Sequence, residues 1–388
     1  VLSDMMLEDK LEKLRFLDAL RGIAIFLVLM VHTGASELPA SIQPIIYAGS
    51  RGVQLFFIVS SITLFLTLDR RKLKEKHLYK NFYIRRLFRI APLFYLATIF
   101  YLYFNGLGPR FWLADQGRIT LYNILSHFLF LNSFYPYWIN SIIGVEWSIA
   151  VEMIFYLLIP ILHKLITSLE KATRFTFSMI ILSYFANKVL VKKQFITSYD
   201  LWIDYLHFWL PSQLPVFALG IALYFILFKN GYLKESIIKL DRKKQISVTC
   251  FLISIYLLYS FINMGNEYIT REFLFAIGFS LLIFAVAVYP LKLIVNRFWC
   301  FLGEMSFSIY LVHFAVITIV GPVVDRNINR MGTVHYLVKF ILTLILSCIV
   351  SYLTSRFIEK PFQAYANKII RKSENNKTDD LESKKMVI

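Results

Sequence analysis

The sequence is short of charge. Asp, Glu, Lys and Arg make up 17% of its 388 residues, against about 25% in a soluble domain. Cysteine is scarce too: Cys250, Cys300 and Cys348 are the whole complement. An odd count without metal spacing points away from a disulfide framework and from a zinc module. There is no phosphate-cradling glycine loop and no G-x-S-x-G turn, which removes two common catalytic readings. What is plentiful is apolar: 57% hydrophobic and 17% aromatic residues. A disordered chain, a collagen-like chain and an ordinary soluble enzyme are excluded, and a polytopic membrane protein remains.

A membrane span needs about 20 mainly apolar residues. Eleven stretches are candidates: 17–33, 53–68, 90–104, 119–134, 147–163, 175–190, 206–228, 246–264, 273–290, 299–320 and 336–356. Lys and Arg exceed Asp and Glu by 42 to 25, a net +17. In a soluble protein that excess would suggest nucleic acid. Here it gathers in loops. Arg70, Arg71, Lys72, Lys74, Lys76, Lys80, Arg85, Arg86 and Arg89 lie between the second and third stretches. Lys229, Lys234, Lys239, Arg242, Lys243 and Lys244 follow the seventh, Lys292 and Arg297 the ninth, and Arg356 to Lys372 open the tail. The linkers with Arg51, with Arg271, and with Arg326 and Arg330 are poor in basic residues. By the positive-inside rule the rich loops and both termini are cytoplasmic, and a nucleic-acid partner is not expected.

Seven stretches precede Lys229, yet that topology needs an even number, so one does not cross. The weakest are 119–134, which holds Asn123, His127 and Asn132, and the proline-interrupted 206–228. The expected fold is an all-α, polytopic transmembrane helical bundle of about ten spans plus one re-entrant or interfacial segment. Residues 1–15 read as a cytoplasmic segment, 16–362 as the transmembrane domain, and 363–388 as a polar, disordered cytoplasmic tail. Thr33, Gly34 and Ala35 are small enough for a signal-peptide cleavage site, but Asp18 and Arg21 interrupt the first stretch and favour a span.

Ionisable residues at membrane depth are functional candidates by default. Arg21 and His32 are eleven residues apart, about three helical turns plus 20°, so they share one face about 16 Å apart. Asp18 joins that stripe three residues before Arg21. An anion-binding group at one end and a base at the other suit a polyanionic donor entering from the cytoplasm. Arg21 reaching for lipid headgroups, with His32 capping the helix, is the plainer alternative. Ser148, Glu152 and Tyr156 recur every four residues and share a face. Glu152 is expected to pair with Arg21, Arg86 or Arg89, or to orient His32; Glu146, at the span edge, reads as solvated. Arg86 and Arg89 are i, i+3 neighbours able to grip phosphate. Ser306, Ser308, Tyr310 and His313 form a late cluster that could equally serve helix packing. His127 and His207 read as buried, satisfied histidines.

These segments together resemble acyltransferase family 3, the bacterial membrane O-acetyltransferases of O-antigen and exopolysaccharide. RFLDALRGIAIFLVLMVH is similar to the family's first span, with Arg21 and His32 in its Arg–x10–His pattern. RGVQLFFIVSSITLFLT resembles the second, with Gln54 where Asp is usual and Ser61 where Gly is usual. FYIRRLFRIAPLFY carries the Arg-x-x-Arg pair at Arg86 and Arg89, and WSIAVEMIFYLLIP matches through Trp147, Ser148, Glu152, Phe155 and Tyr156. LGEMSFSIYLVH resembles the late serine–tyrosine–histidine segment, with Phe307 replacing Tyr, and FIEKPF the closing one.

The resemblance implies an acyl-CoA donor, usually acetyl-CoA, bound from the cytoplasm as a substrate, with no permanent cofactor and no metal. The acceptor would be a hydroxyl of a cell-envelope or exported glycan or glycolipid, with the chain multi-pass in the bacterial inner membrane. His32 would be the general base or a transient acyl carrier. Arg21, Arg86 and Arg89 would hold the donor's phosphates, and Glu152 would orient His32 or stabilise its cation. Some members carry an extracytoplasmic hydrolase-like domain after the last span. Here 26 residues follow Phe362, so the chain is expected to act alone or with a separate extracytoplasmic partner. A transporter or flippase of a glycan or lipid is the alternative, since intramembrane Arg, Glu and His suit proton coupling. The lack of two related halves speaks against it.

Overall fold

A computed structural model describes residues 2–229, 240–262, 270–328 and 332–385. Lys234, Lys239 and Arg330, the end of the 246–264 stretch, and the side chain of Arg271 lie outside what it describes. Among the described residues the chain is helical and has no strand. The helices are α1 Leu2–His32, α2 Gln43–Tyr47, α3 Gly52–Arg71, α4 Leu78–Asn105, α5 Leu121–Phe128, α6 Trp147–Leu165, α7 Leu169–Val191, α8 Tyr199–Phe208, α9 Leu210–Tyr224, α10 Leu240–Ile262, α11 Thr270–Val288, α12 Arg297–Glu304, α13 Ser306–Asn327, α14 Thr333–Thr354 and α15 Lys360–Lys385.

Among the described residues eight helical stretches are long and apolar enough to cross a membrane, and they contain α3, α4, α6, α7, α9, α10, α13 and α14. Two more helices fit the same role. α1 carries Asp18 and Arg21 inside its apolar part, and the apolar part of α11, Glu272–Val288, is only slightly shorter. Among the described residues eight helical stretches thus meet the length and composition of a span, and α1 and α11 come near it. The two weak stretches now separate. Of 119–134 only α5 is a helix of any length, and its 8 residues span about 12 Å, far short of a bilayer core of about 30 Å. The 206–228 stretch breaks at Trp209, which is extended, and then runs as α9 and a wide π turn to Lys229. The 299–320 stretch also divides, at Met305, into the short α12 and the long α13.

α3 and α9 are central, and α7 and α10 are peripheral. Phe177, Ile181 and Phe185 on α7 and Leu252 and Tyr256 on α10 are exposed apolar side chains, as lipid-facing helices require. At the centre Phe217 of α9 stacks between Phe155 at 3.9 Å and Phe57 at 4.4 Å. Short polar side chains tie helices together: Ser254 donates to the Gly278 carbonyl at 2.8 Å and Ser247 to the Ala285 carbonyl at 2.7 Å. Pro92, Pro160, Pro215 and Pro322 all lie inside helices, which membrane bundles tolerate.

α1 and α12 touch backbone to backbone. A Cβ on Gly22 would strike the Trp299 carbonyl, and one on Gly303 would strike the Asp18 carbonyl. Two facing glycines therefore set the approach of the helix that carries Arg21 and His32. Gly22→Ala should force these helices apart and destabilise the protein by about 1–3 kcal/mol, the usual range for overpacking. A lower thermal midpoint for the detergent-solubilised variant checks this; an unchanged midpoint would mean that the contact is slack.

α15 spans Lys360–Lys385, and a tertiary contact anchors it. Glu374 accepts from the backbone N–H groups of Lys76 at 3.0 Å and His77 at 3.1 Å, and from Asn81 Nδ2 at 2.7 Å. It thus caps the start of α4. Burial opposes the charge, but together these bonds hold the Glu374 carboxyl below the usual carboxylate range.

Candidate functional site

The arginines at the start of α4 do not behave alike. Arg85 makes two bonds to Glu75, at 2.9 and 2.8 Å, and Arg71 adds a third at 2.7 Å. Burial works against the Glu75 charge, yet Arg85 and Arg71 hold its carboxyl below the ordinary range. Arg86 and Arg89 make no hydrogen bond or ion pair with any described residue. The Arg86 guanidinium lies over the rings of Tyr156 at 5.5 Å and Phe82 at 5.7 Å, a cation–π setting that leaves its N–H edges available.

Arg86 and Arg89 belong to two cavities at once. The outer one, about 240 Å³, lies against α3, α4 and α15 and is also lined by Arg71, Arg85, Gln363 and Asn367. The inner one is narrow, about 90 Å³, and is reached from α1, α3, α4, α6 and α13. Arg21, Ser60, Thr63, Ser148, Glu152, Tyr156, Ser306 and Tyr310 give it a polar lining. Such a cavity has room for a few waters.

Several of the other inner side chains are held by hydrogen bonds. Arg21 donates to Asp18 at 2.9 Å and to the Thr63 hydroxyl at 2.7 Å. Glu152 accepts from the Ser60 hydroxyl and from Tyr156 at 2.6 Å. Ser148 donates to the Tyr310 hydroxyl at 2.7 Å, which donates to the Val145 carbonyl at 2.8 Å. Ser308 donates to Glu359, a buried carboxylate on the π turn before α15.

His32 is not among those lining residues. Its Nδ1 lies 3.1 Å from Nε2 of His313, and Phe314 packs against both rings at 4.8 and 4.6 Å. His313 Nδ1 is 2.7 Å from the Tyr310 carbonyl. A carbonyl only accepts, so His313 Nδ1 carries the hydrogen and its Nε2 a lone pair. With both rings neutral, His32 then donates from Nδ1, and its own lone pair is on Nε2. His313 is fully buried, whereas His32 is partly accessible.

Two expectations meet the geometry here. Of the alternatives open to Glu152, a place among the arginines rather than beside His32 fits: its carboxylate bonds to Ser60 and Tyr156 in the arginine-lined cavity, and the histidine partner is His313. Rotation of α6 decides this, because Glu152 and Arg21 face the same cavity several turns of α1 away from His32. Glu146 is not solvated. It is completely buried and accepts from the N–H groups of Ile142 and Gly144, both at 2.6 Å, with His127 Nε2 at 3.3 Å. That carboxylate braces the loop whose Gly144 lies against Phe314.

His127 and His207 are partnered. His127 is buried against the Asn123 carbonyl at 2.8 Å, and His207 meets Arg51 and Glu272. Gln54, an unusual residue for its segment, is buried and donates to Gln213 at 3.2 Å. Ser60, Thr63 and Glu359 were not foreseen. Ser60 and Thr63 belong to the RGVQLFFIVSSITLFLT segment, but only the rotation of α3 shows that they face Glu152 and Arg21. Among the described residues no three His, Cys, Asp or Glu side chains come together as a metal site.

Comparison with known proteins bears on this arrangement. A family model described as an acyltransferase domain matches residues 14–356. O-acetyltransferase OatA of Staphylococcus aureus (strain NCTC 8325 / PS 47) is 24% identical over 371 residues, 90% of this chain and 58% of that protein. The putative O-acetyltransferase SACOL0978 of S. aureus (strain COL) is 27% identical over 379 residues, 91% of this chain and 58% of the relative. The putative acetyltransferase ORF330 of Acidianus two-tailed virus is 28% identical over 315 residues, 78% of this chain and 83% of the relative. The chain thus spans somewhat more than half the length of the two staphylococcal relatives.

Proposed function

The chain belongs to acyltransferase family 3, and on that premise we propose that it moves an acyl group, acetyl first of all, from acyl-CoA to a hydroxyl of a cell-envelope or exported glycan. One observation carries the reading. Two arginines whose N–H groups meet no partner among the described residues line a polar cavity with Arg21, and a histidine with its lone pair on Nε2 stands further along the same helix as Arg21. Arg21 is about 16 Å along α1 from His32. The pantetheine arm between the phosphates and the thioester of acyl-CoA is of comparable length.

Arg86 and Arg89 hold the donor's phosphates through charge-assisted bonds, with Arg21 deeper in the cavity. Ser148, Tyr156, Ser306 and Tyr310 line the inner cavity, which at about 90 Å³ has to widen to admit the arm, and Glu152 offsets the arginine charge. At the far end His32 Nε2 takes the proton of the acceptor hydroxyl while that oxygen attacks the thioester carbonyl. The carbon–oxygen bond forms, the carbon–sulfur bond breaks, and the proton passes from His32 to the departing thiolate. His313 Nε2 accepts from His32 Nδ1 throughout and holds the ring in its reactive tautomer. In the acyl-carrier variant, His32 Nε2 attacks the thioester carbonyl, the carbon–sulfur bond breaks to release the thiolate, and the acyl group then passes from Nε2 to the acceptor oxygen, whose proton ends on the thiolate.

The positive-inside rule puts the arginine end in the cytoplasm of a bacterial inner membrane, with both termini there. The acceptor, or a separate extracytoplasmic partner presenting it, meets the opposite end. Purified protein in nanodiscs, given radiolabelled acetyl-CoA and extracted envelope glycan, should leave label on the glycan as an alkali-labile ester. Solute movement across liposomes without acyl-CoA consumption would favour a transporter instead.

A further inference from the structure

A groove of about 890 Å³, far roomier than the arginine-lined cavity, opens elsewhere in the molecule. It lies where the end of α7 and the length of α8 meet the loops around Asp115 and Tyr135, at the pole opposite Arg86 and Arg89. We propose that this groove binds neutral saccharide units of the glycan, outside the reacting centre. Naming that glycan as the acyl acceptor rests on the transferase reading above; the affinity for sugar does not.

The walls are rings. Tyr135 and Phe195 reach solvent, at 36% and 68% exposure, while Trp202 and Tyr205 form the buried floor at 4% and 8%. Trp202 donates to the Leu190 carbonyl at 2.9 Å, so its ring is held in place. Tyr205 stacks on Trp202 at 5.6 Å, and Phe195 meets that same ring edge-on at 5.5 Å. Aromatic faces with polar handles suit a ligand that is apolar on one face and hydroxylated at its rim, which describes a pyranose.

Polar groups stand among the rings. Asp115 is exposed, and its Oδ1 accepts from Tyr137 at 2.7 Å. The Tyr137 bond, and then Thr197, hold the Asp115 carboxyl below the ordinary range, so it stays an acceptor for sugar hydroxyls. Gln116 and Gln194 add amides. A few convergent polar groups on an aromatic wall mark a small-molecule site, and the volume is within the usual range of about 300–1,000 Å³.

Charge separates this ligand from the alternatives. None of the lining residues is basic, and Asp115 is negative. A phosphate, whether of a phospholipid or of acyl-CoA, would meet Asp115 and no counter-charge within the lining itself. An interfacial aromatic belt would face outward into lipid, whereas these rings converge on a concavity built from three separate segments.

The groove is tied to the histidine pair. Its loop continues from Tyr137 to Gly144, which lies against Phe314 beside His32 and His313. α8, which supplies Trp202 and Tyr205, ends in Phe208, stacked at 4.3 Å on Trp147 at the start of α6.

The test uses the full chain in nanodiscs on an array of neutral and anionic glycans, followed by tryptophan-fluorescence titration with the neutral oligosaccharide bound best. Tyr135→Ala and Asp115→Asn change exposed side chains, and each should weaken that binding by about tenfold. Acetyl-CoA binding should stay unchanged, and acceptor KM should rise with kcat near wild type. If the wild type binds no neutral glycan, if both variants bind as the wild type does, or if anionic phospholipid vesicles compete for the groove, the proposal falls. Loss of glycan binding in the variants of a protein that transfers no acyl group would uphold the groove and reject the transferase reading.

Discussion

Replacing His32 with alanine should abolish acyl transfer, with turnover at least about a thousandfold lower, near the upper range for a lost general base. The expectation rests on the histidine pair. His313 uses its Nδ1 hydrogen on the Tyr310 carbonyl at 2.7 Å and receives His32 Nδ1 at 3.1 Å. The one lone pair of His32 is thereby on Nε2, where no described group meets it. His32→Gln keeps a donor towards His313 but supplies no base, and it should be as inactive as alanine. Both variants should still insert and bind acetyl-CoA, because the arginines lie several turns away. His313→Gln should be milder, since it loosens the ring's tautomer and orientation without removing the base. Acetyl transfer at the wild-type rate by His32→Ala would overturn the assignment. Mass spectrometry after labelled acetyl-CoA is added without acceptor then separates base from carrier: an acetyl group on His32 marks the carrier, and an unmodified peptide the base.

The second large effect concerns the donor. Arg86→Gln with Arg89→Gln should weaken acetyl-CoA binding by about a hundredfold or more, since a hydrogen bond to a charged group contributes about 1.5–3 kcal/mol. Glycan binding should barely change. Arg85→Gln is the informative contrast. Arg85 is engaged by Glu75 at 2.8 Å, so its loss should loosen the turn before α4 and lower thermal stability, with little effect on donor affinity. Isothermal titration with acetyl-CoA reads all three. Equal affinity in the wild type and the double variant would remove Arg86 and Arg89 from the donor site, and an Arg85 effect as large as theirs would mean that only net charge matters.

Much of the site was legible in the sequence. Arg21, Arg86, Arg89, Glu152, Ser148, Tyr156, Ser306 and Tyr310 come from four separate sequence segments, and all line one cavity. They could be found because a charged or hydroxylated side chain in an apolar run stands out by itself. The partners were harder. Ser308 and Glu359 are 51 residues apart, and His32 and His313 are 281 apart; no helical spacing connects either pair. Glu152 shows the same gap: spacing gives its helix face, but which of the arginines or His32 that face meets depends on the neighbouring helices. Glu146 departs from a solvated edge because a loop folds over it.

The aromatic groove had no signature at all. Asp115, Tyr135, Phe195 and Trp202 are scattered over three segments in a chain where aromatics are common. Nothing local distinguishes them from lipid-facing or interfacial rings.

By itself the sequence determined that the protein is an all-α membrane bundle, which of its loops are basic, and which polar side chains fall within its apolar runs. These follow from local physics: an apolar run in lipid must satisfy its own backbone, and only a helix does so within one segment. Tertiary structure alone decided that 119–134 is the stretch too short to cross, that His32 answers to His313 rather than Glu152, that α15 is anchored through Glu374, and that an aromatic groove opens opposite the arginines. Those outcomes depend on how each helix is rotated and how closely its backbone approaches the next, as Gly22 and Gly303 allow for α1 and α12. That information is carried by pairs of distant residues.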